Sequence, residues 1–343
     1  MKLKTIFTLL KETVDEWNKD KASRLAAALA YYTVFSLSPL LIIAIAIAGA
    51  VFGEEAARGE IVGQIQGLVG KDGAEFIQTA IESAAKPQEG GGFASAISVV
   101  VLLFGASGVF AQLQDALNTI WEVQSNPKAG AGGFIRARFL AFSMVLGIGF
   151  LLLVSLLLSA GLSGVVSYLG NLFPVLASLL QVANFVLGFI VTTVLFGLIY
   201  KFLPDVKITW SDVLIGAAMT SLLFSIGRYG LGLYLGNSSF GSTYGAAGSL
   251  VIILAWVYYA AQILFFGAEF TQVYARRYGS QIIPDKNAIP ITQGDRAEQG
   301  MKSNDTSRPS PKSKSASPNF IRNLVRRFTA PSRSKRRSKN RRP

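Results

Sequence analysis

Long stretches without a charged residue dominate this sequence and limit what it can fold into. Residues 26–52 contain no charge, and neither do residues 139–200, a stretch long enough to cross a bilayer twice. A spanning helix needs about 20 mainly apolar residues. Gly161, Gly170 and Pro174 divide the longer stretch into two helices, since glycine and proline interrupt regular structure. The chain is therefore expected to be an all-α protein that resides in a membrane.

The same criterion predicts six spanning helices in all. Besides one in 26–52 and two in 139–200, they lie near residues 93–113, 213–235 and 244–268. Composition agrees, because 51% of the 343 residues are hydrophobic and only 15% are charged, too few for an ordinary soluble domain. Lys and Arg are concentrated in the segment before the first span and in the segments that follow the second, fourth and sixth spans. The segments after the third and fifth spans have none. Because positive residues stay on the cytoplasmic side, both termini are predicted to be cytoplasmic.

Three regions follow from this pattern. Residues 1–22 form a cytoplasmic arm, in which Ile6, Leu10, Val14 and Trp17 recur at helical spacing among lysines, as in a helix that lies on a membrane surface. Residues 23–278 form the six-helix domain. Its first outer loop, 53–92, has two amphipathic helical patterns, which are expected either to cap the bundle or to act as a lid or docking surface for a partner.

Residues 279–343 are expected to be a disordered basic tail, because they are rich in Ser, Pro, Lys and Arg and have little to bury. Nearly all of the net charge of +13 belongs to this tail. Residues 319–330 form a short amphipathic pattern in which Arg322, Arg326 and Arg327 surround an apolar face. That pattern favours anionic lipid headgroups. Phosphates of nucleic acid are the weaker alternative, and no specific nucleic acid is expected.

The chain contains no cysteine and no histidine. Disulfides, thiolate or imidazole metal sites and histidine acid–base catalysis are therefore excluded. A metal-dependent phosphodiesterase needs clustered carboxylates or histidines, and Asp115 and Glu122 have no third carboxylate beside them. We expect neither an enzyme nor a cofactor nor a metal site.

Arg228 is the only charge in the fifth predicted span, and a charge inside a span is more often functional or tightly paired than incidental. Ser221, Ser225 and Arg228 share one helical face, which is expected to point into the bundle. Arg228 lies about 12 Å below the outer end of its span, too far from Asp115 and Glu269 to pair with them. Its guanidinium is expected either to find hydrogen-bond partners inside the bundle or to extend to the membrane surface. The alternative is that it binds an anionic or lipid ligand. The other candidates for such a cavity are Tyr31, Ser38 and Gln262.

A second polar group is predicted at the cytoplasmic mouth. Its members share a similar depth along their helices: Gln112, Asp115, Glu122, Arg136, Arg138, Lys201 and Glu269. Such a ring is expected to be either the ion-pair gate of an alternating-access carrier or a static clasp between loops.

Four segments together resemble the YihY/BrkB family of bacterial inner-membrane proteins. They are AAALAYYTVFSLSPLL at 26–41, GASGVFAQLQDALNTIWEV at 105–123, Pro204 with Trp210 and Gly216-Ala217, and residues 244–269 ending in Gly-Ala-Glu. The resemblance covers about residues 20–278 and leaves out the basic tail. It implies a six-span protein of the bacterial inner membrane. Members have been labelled virulence or serum-resistance factors and also ribonucleases, and the residues of this chain give no support to the last label.

Two functional classes remain open. One is a carrier or lipid-handling protein of the cell envelope, with an internal polar cavity for an anionic or lipid substrate. The other is a scaffold that recruits envelope-assembly partners through its outer helices and tail. A homo-oligomer or an envelope-protein partner is compatible with either class.

Overall fold

The computed structural model describes residues 3–85, 91–126, 143, 174–236, 246–279 and 282–301. These residues belong to one compact unit, Met1–Ser303, while the second unit, Asn304–Pro343, lies outside the described residues. The described part is mostly helical, in line with the all-α prediction. Helices suit a membrane because they satisfy their own backbone hydrogen bonds.

The long helices, with their bounds, are α1 (Leu3–Lys19), α2 (Ala22–Phe52), α3 (Glu54–Ala85), α4 (Gly91–Ile120), α5 (Pro174–Phe202), α6 (Trp210–Gly236) and α7 (Ala246–Tyr278). Four stretches are long and apolar enough to cross a bilayer: Ala22–Ala50, Val182–Phe202, Trp210–Gly230 and Gly248–Tyr278. They correspond to the predicted first, fourth, fifth and sixth spans. The second lies within α4, and the third falls, apart from residue 143, outside the described residues, so the count of six stays a prediction.

Helix α7 is the centre of the described bundle. It packs against α1, α2, α3, α4 and α6. Helix α5 packs mainly on α6 and also contacts α7, since the hydroxyl of Tyr200 donates to the carbonyl of Leu264. The main core joins α2, α4, α5, α6 and α7 through large buried side chains, among them Trp121, Tyr200 and Phe265. A polar group placed on the inner faces of α7 is consequently enclosed from several sides.

Helix α3 is broken at Gly70, whose φ of 80° and ψ of 178° lie outside the helical region. Glycine accepts this conformation because it has no Cβ. The break divides α3 into the two helices that the sequence predicts. Ile77 and Ile81 are buried against Ile45 of α2 and Ile253 of α7, so the apolar face packs on the bundle, as the cap interpretation predicts.

At the opposite end of α2 and α7, the chain after α7 folds back onto the bundle. Strand β1 (Val123–Ser125) pairs antiparallel with β4 (Ala288–Pro290), and β2 (Val206–Lys207) pairs antiparallel with β3 (Ile283–Pro284). A short helix, α8 (Gln293–Glu298), follows. We call this region, formed by α1, β1–β4 and α8, the polar end.

The prediction of a disordered tail from residue 279 onward is therefore wrong for residues 282–301. These residues gain backbone partners from the two loops that follow α4 and α5: the amide of Ile291 donates to the carbonyl of Glu122 (2.9 Å), and that of Asp285 donates to the carbonyl of Asp205 (2.8 Å). Pairing with distant strands supplies order that local composition does not predict. The predicted tail helix at 319–330, with Arg322, Arg326 and Arg327, lies outside the described residues.

Many large apolar side chains point away from the bundle. Phe35, Phe104, Phe185 and Leu222 are each more than half exposed. Exposed apolar surface of this extent would be unfavourable in water, but it suits the hydrocarbon of a bilayer.

Candidate functional site

Glu269 is the most unusual polar residue of the described bundle. It lies on α7 within an apolar stretch, and its side chain has no solvent exposure. Neither of its carboxylate oxygens has a hydrogen-bond partner among the described residues. Gln272, less than one turn further along α7, also has its side-chain oxygen buried without a partner in the described part of the chain. Burying an ionised carboxylate without donors costs far more than burying the neutral acid. Such groups inside a span usually mark a functional position.

Charged groups of the polar end interact electrostatically with Glu269. Glu16 on α1, Asp20 in the turn after α1, Glu122 after α4 and Arg276 on α7 all act on it electrostatically. Glu122 occupies a left-handed conformation with φ of 58°, which ends α4. Carboxylates therefore outnumber guanidinium groups in this cluster.

Arg276 binds two of these carboxylates. Its guanidinium donates to Glu16 Oε1 at 2.8 Å and lies 3.5 Å from Glu122 Oε1. Burial alone would raise the pKa of Glu16, but the hydrogen bond and charge of Arg276 outweigh it and hold that pKa below its ordinary value. The pair between Arg276 and Glu16 therefore attaches α7 to α1. Lys19, on α1 itself, also contacts Glu16 at 3.2 Å.

A second ion pair attaches α8 to the turn between α1 and α2. Arg296 donates to Asp20, and both side chains are almost completely buried. Burial raises the pKa of Asp20 to about 6, even though the charge and hydrogen bond of Arg296 act in the opposite direction. Arg24 adds a hydrogen bond of 2.8 Å to the carbonyl of Gln299. A capping box between Thr292 and Asp295 starts α8, so the pair is held by a locally stabilised helix.

Asp205, in the loop between α5 and α6, ties the polar end together. Its carboxylate accepts hydrogen bonds from Gln114 (3.2 Å), Asn118 (2.9 Å) and Ser125 (3.2 Å), and its amide donates to Asn118 Oδ1 at 2.8 Å. The loop after α5 is thereby fixed to the end of α4. Asp205 is a structural tie, since each of its described partners is neutral.

Helices α6 and α7 approach each other through two reciprocal glycine–threonine contacts. Gly216 of α6 lies against Thr271 of α7, and Gly267 of α7 lies against Thr220 of α6; a Cβ added at either glycine would overlap the threonine hydroxyl. Thr220 and Thr271 donate back to the carbonyls of Gly216 (2.7 Å) and Gly267 (2.6 Å). Small residues allow spanning helices to pack this closely. Glu269 lies between Gly267 and Thr271 on α7, and is therefore held on a tightly packed segment.

The structure does not support an inward-facing stripe at Ser221, Ser225 and Arg228. Ser221 is buried, Ser225 donates to the carbonyl of Ser221 at 2.8 Å, but Arg228 is exposed. Thr220 and Gly227 lie on the face of α6 that contacts α7. They precede Ser221 and Arg228 by one residue each, so the contact face is rotated by about 100° from the predicted stripe. Among the other residues predicted to line a cavity, Tyr31 is 60% exposed, whereas Ser38 and Gln262 are half-buried, and their role in a cavity stays a prediction.

Only part of the predicted inner ring is brought together. Glu122 and Glu269 share the cluster around Arg276. Lys201 instead donates to the carbonyl of Ile208 and lies 5.8 Å from the ring centre of Trp210. Asp115 is exposed and Gln112 is half-buried. Arg136 and Arg138 lie outside the described residues.

Sequence reasoning missed Glu16, Asp20, Arg276 and Arg296 as site residues. One signal was available, because Arg276 is seven residues after Glu269 and thus on the same helical face. Nothing in the local sequence indicates that α1 and α8 contribute to the cluster. Within the described residues, no group of three or more acidic side chains is arranged to hold a metal ion.

The apolar helices and the enclosed polar end together define an integral membrane protein of the helical class. The chain matches the family model described as "Virulence factor BrkB" over residues 13–291, and it belongs to this family, the YihY/BrkB family. The matched range extends past α7 through β3 and β4, in agreement with their being folded.

Three similar proteins are named as membrane proteins. The "UPF0761 membrane protein" of Alcanivorax borkumensis is 25% identical over 269 residues, which cover 78% of this chain and 59% of the relative. That of Photobacterium profundum is 28% identical, covering 80% and 82%, and that of Rhodospirillum centenum is 27% identical, covering 81% and 57%. The chain thus spans about three-fifths of the length of the first and third relatives. No solved structure matches it.

Proposed function

We propose that this chain is a multi-pass protein of the bacterial inner membrane that transports a solute or lipid, with Glu269 as part of the transport machinery. One observation supports the proposal: a fully buried carboxylate without a described hydrogen-bond partner, in an apolar helix at the centre of the bundle. Ionisable groups at such positions typically lie on ion or substrate pathways. No enzymatic reaction is part of the proposal.

The position of Glu269 suits such a role. It lies near the cytoplasmic mouth, because the positive charge pattern assigns α1 and the end of α7 to the cytoplasm. Side chains from α1, the turn that follows it, and the end of α4 act on it electrostatically. A change of charge on Glu269 would therefore be felt by several elements at once, as a carrier that couples binding to conformation requires.

The experiment compares wild type with Glu269→Gln, a neutral variant of nearly equal size. Both are purified in lipid nanodiscs, co-purifying lipids and solutes are identified by mass spectrometry, and uptake of the compound found is measured in proteoliposomes. We expect specific uptake by wild type and an at least tenfold slower uptake by Glu269→Gln at equal protein abundance. Glu75→Gln, at an exposed position on α3, is the matched control and should transport normally.

A scaffold is the alternative, and one feature favours it. The outer helices of α3 form a groove of about 460 Å³ lined by Glu54, Glu55, Arg58, Gly59, Val62 and Gln78, which would offer a polar surface to an envelope protein. Wild type without any specific co-purifying compound or uptake would contradict the transport proposal and favour the scaffold. Equal uptake by Glu269→Gln and wild type would contradict the role of Glu269 in transport.

A further inference from the structure

We propose that the ligand of Glu269 is a proton that crosses the membrane in step with the transported compound and exchanges with the cytoplasm at this end of the bundle, and that Arg276 is the cation that replaces it. The inference rests on the proposed transport function, because it names the ion whose binding at this site drives the conformational change. It is carried by three observations: the enclosure of the carboxylate, the occupation of neighbouring oxygens by cations, and the position of Arg276.

The enclosure favours the protonated form. Both oxygens of Glu269 are buried without a described donor, and the flanking Ala268 and Phe270 are buried apolar residues. Water or a donor would normally stabilise an ionised carboxylate, and neither a donor nor solvent exposure is found here among the described residues. Adding a proton to one oxygen makes the group neutral and removes the cost of a buried charge.

The neighbouring carboxylates disfavour a metal cation. Oxygen-binding cations such as Ca²⁺ require about six to eight oxygen ligands. Around Glu269, however, Glu16 and Glu122 are occupied by Arg276, and Asp20 is occupied by Arg296. A metal ion would have to break these ion pairs to gather its ligands, whereas a proton needs only one oxygen of Glu269.

Arg276 provides the replacement for the proton. It follows Glu269 by seven residues on the same face of α7, and the two side chains interact electrostatically. When the O–H bond of Glu269 breaks, the proton passes to cytoplasmic water and the carboxylate gains a negative charge. Movement of the Arg276 guanidinium toward this charge would weaken its hydrogen bond to Glu16 and its contact with Glu122, and so loosen α1 from α7.

Charged groups on the elements packed around α7 determine whether Glu269 keeps or releases its proton. They are Glu16 from α1, Asp20 from the turn that follows, Glu122 from the end of α4, and Arg276 from α7 itself. The three carboxylates favour retention of the proton on Glu269, and Arg276 favours its release. Proton binding at Glu269 and ion pairing at Glu16 are thus coupled through one guanidinium group.

Infrared difference spectroscopy of the full chain in nanodiscs tests the inference without any transport assay. We expect wild type to show, besides the band of Asp20, a second carbonyl band of a protonated carboxylic acid that disappears as pH is raised, and Glu269→Gln to lack this second band. Asp20→Asn identifies the band of Asp20. Glu75→Gln should retain the band. Exchange of Na⁺ for K⁺ should leave it unchanged. The same second band in Glu269→Gln, or a second band governed by Na⁺ instead of pH, would overturn the inference.

Arg276→Gln provides a second variant for the role of the guanidinium. Its removal should move the midpoint of the band to higher pH, because a nearby cation favours ionisation. An unchanged midpoint would refute the role of Arg276. A wild-type band without any uptake would contradict transport and leave the proton site standing, whereas Na⁺-driven uptake without the band would contradict the proton site alone.

Discussion

Arg276 and Glu269 lie on the same face of α7, yet the described hydrogen bond and ion pairs of Arg276 go to Glu16 and Glu122. The nearest intrahelical cation is thus engaged with α1 and the end of α4, while Glu269 stays buried without a described partner. The proposed mechanism adds a second charge state, in which an ionised Glu269 attracts the guanidinium of Arg276 away from Glu16 and Glu122.

The close approach of α6 and α7 predicts that Gly216→Ala and Gly267→Ala destabilise the protein. The new methyl group would overlap the hydroxyl of Thr271 or Thr220, and overpacking of this kind typically costs about 1–3 kcal/mol. Thermal unfolding followed by tryptophan fluorescence in detergent measures the effect. Gly230→Ala is the control on α6, because nothing lies within 4 Å of its added Cβ; equal melting temperatures for all three variants would disprove the contact.

The buried pair between Asp20 and Arg296 predicts strong coupling between these positions. Asp20→Asn or Arg296→Gln alone leaves its partner buried and unpaired, which costs about 3–5 kcal/mol in comparable pairs. The double variant should cost less than the sum of the two. Hydrogen exchange of the amides in residues 283–299 measures the local opening. Arg58→Gln, which removes the exposed pair with Glu54, is the control and should change the free energy of unfolding by less than about 1 kcal/mol. Additive effects of the two substitutions would argue against a direct pair.

Helix α1 is predicted to insert one face into the cytoplasmic leaflet. Phe7 is 73% exposed, although Leu9 on the other side of α1 is buried against Phe270 and Val273 of α7. Because the chain has no cysteine, Phe7→Cys accepts a single fluorescent label. Quenching by spin-labelled lipid in nanodiscs should be strong at this position and weak at Asp15→Cys, an exposed site about 80° further around the helix. Equal quenching at both sites would contradict this orientation.

Truncation tests the boundary of the folded region. A chain that ends after Met301 should retain wild-type stability, because it keeps both strand pairs and α8. A chain that ends after Gly279 loses the partners of β1 and β2 and of Asp20, and its melting temperature in detergent should fall by several degrees. Similar melting temperatures for the two truncations would show that residues 280–301 contribute nothing to the fold.

Hydropathy was sufficient to predict the main helices, because a bilayer requires long apolar stretches whatever their tertiary contacts. Helical periodicity predicted two helices within residues 53–92, but their break at Gly70 is known only from the structure. Residues 282–301 could not be predicted to be folded, because their strands are two or three residues long and exist only through pairing with β1 and β2.

The candidate site was predicted less well for a geometric reason. Depth along a helix follows from counting residues, so Glu269 was correctly separated from Arg228. The direction of a side chain depends on which neighbours a helix meets. Sequence alone did not show that Gly216, Thr220 and Gly227 form the contact face of α6, or that α1 delivers Glu16 to Arg276.

Proton movement during transport tests the central claim most directly. Proteoliposomes containing a trapped pH-sensitive dye are supplied with the compound that co-purifies with the protein, and the internal pH is followed for wild type, Glu269→Gln and Glu75→Gln. The account predicts a compound-dependent pH change for wild type and Glu75→Gln, and its loss in Glu269→Gln. The same compound-dependent pH change in Glu269→Gln, or none in wild type despite uptake, would contradict it.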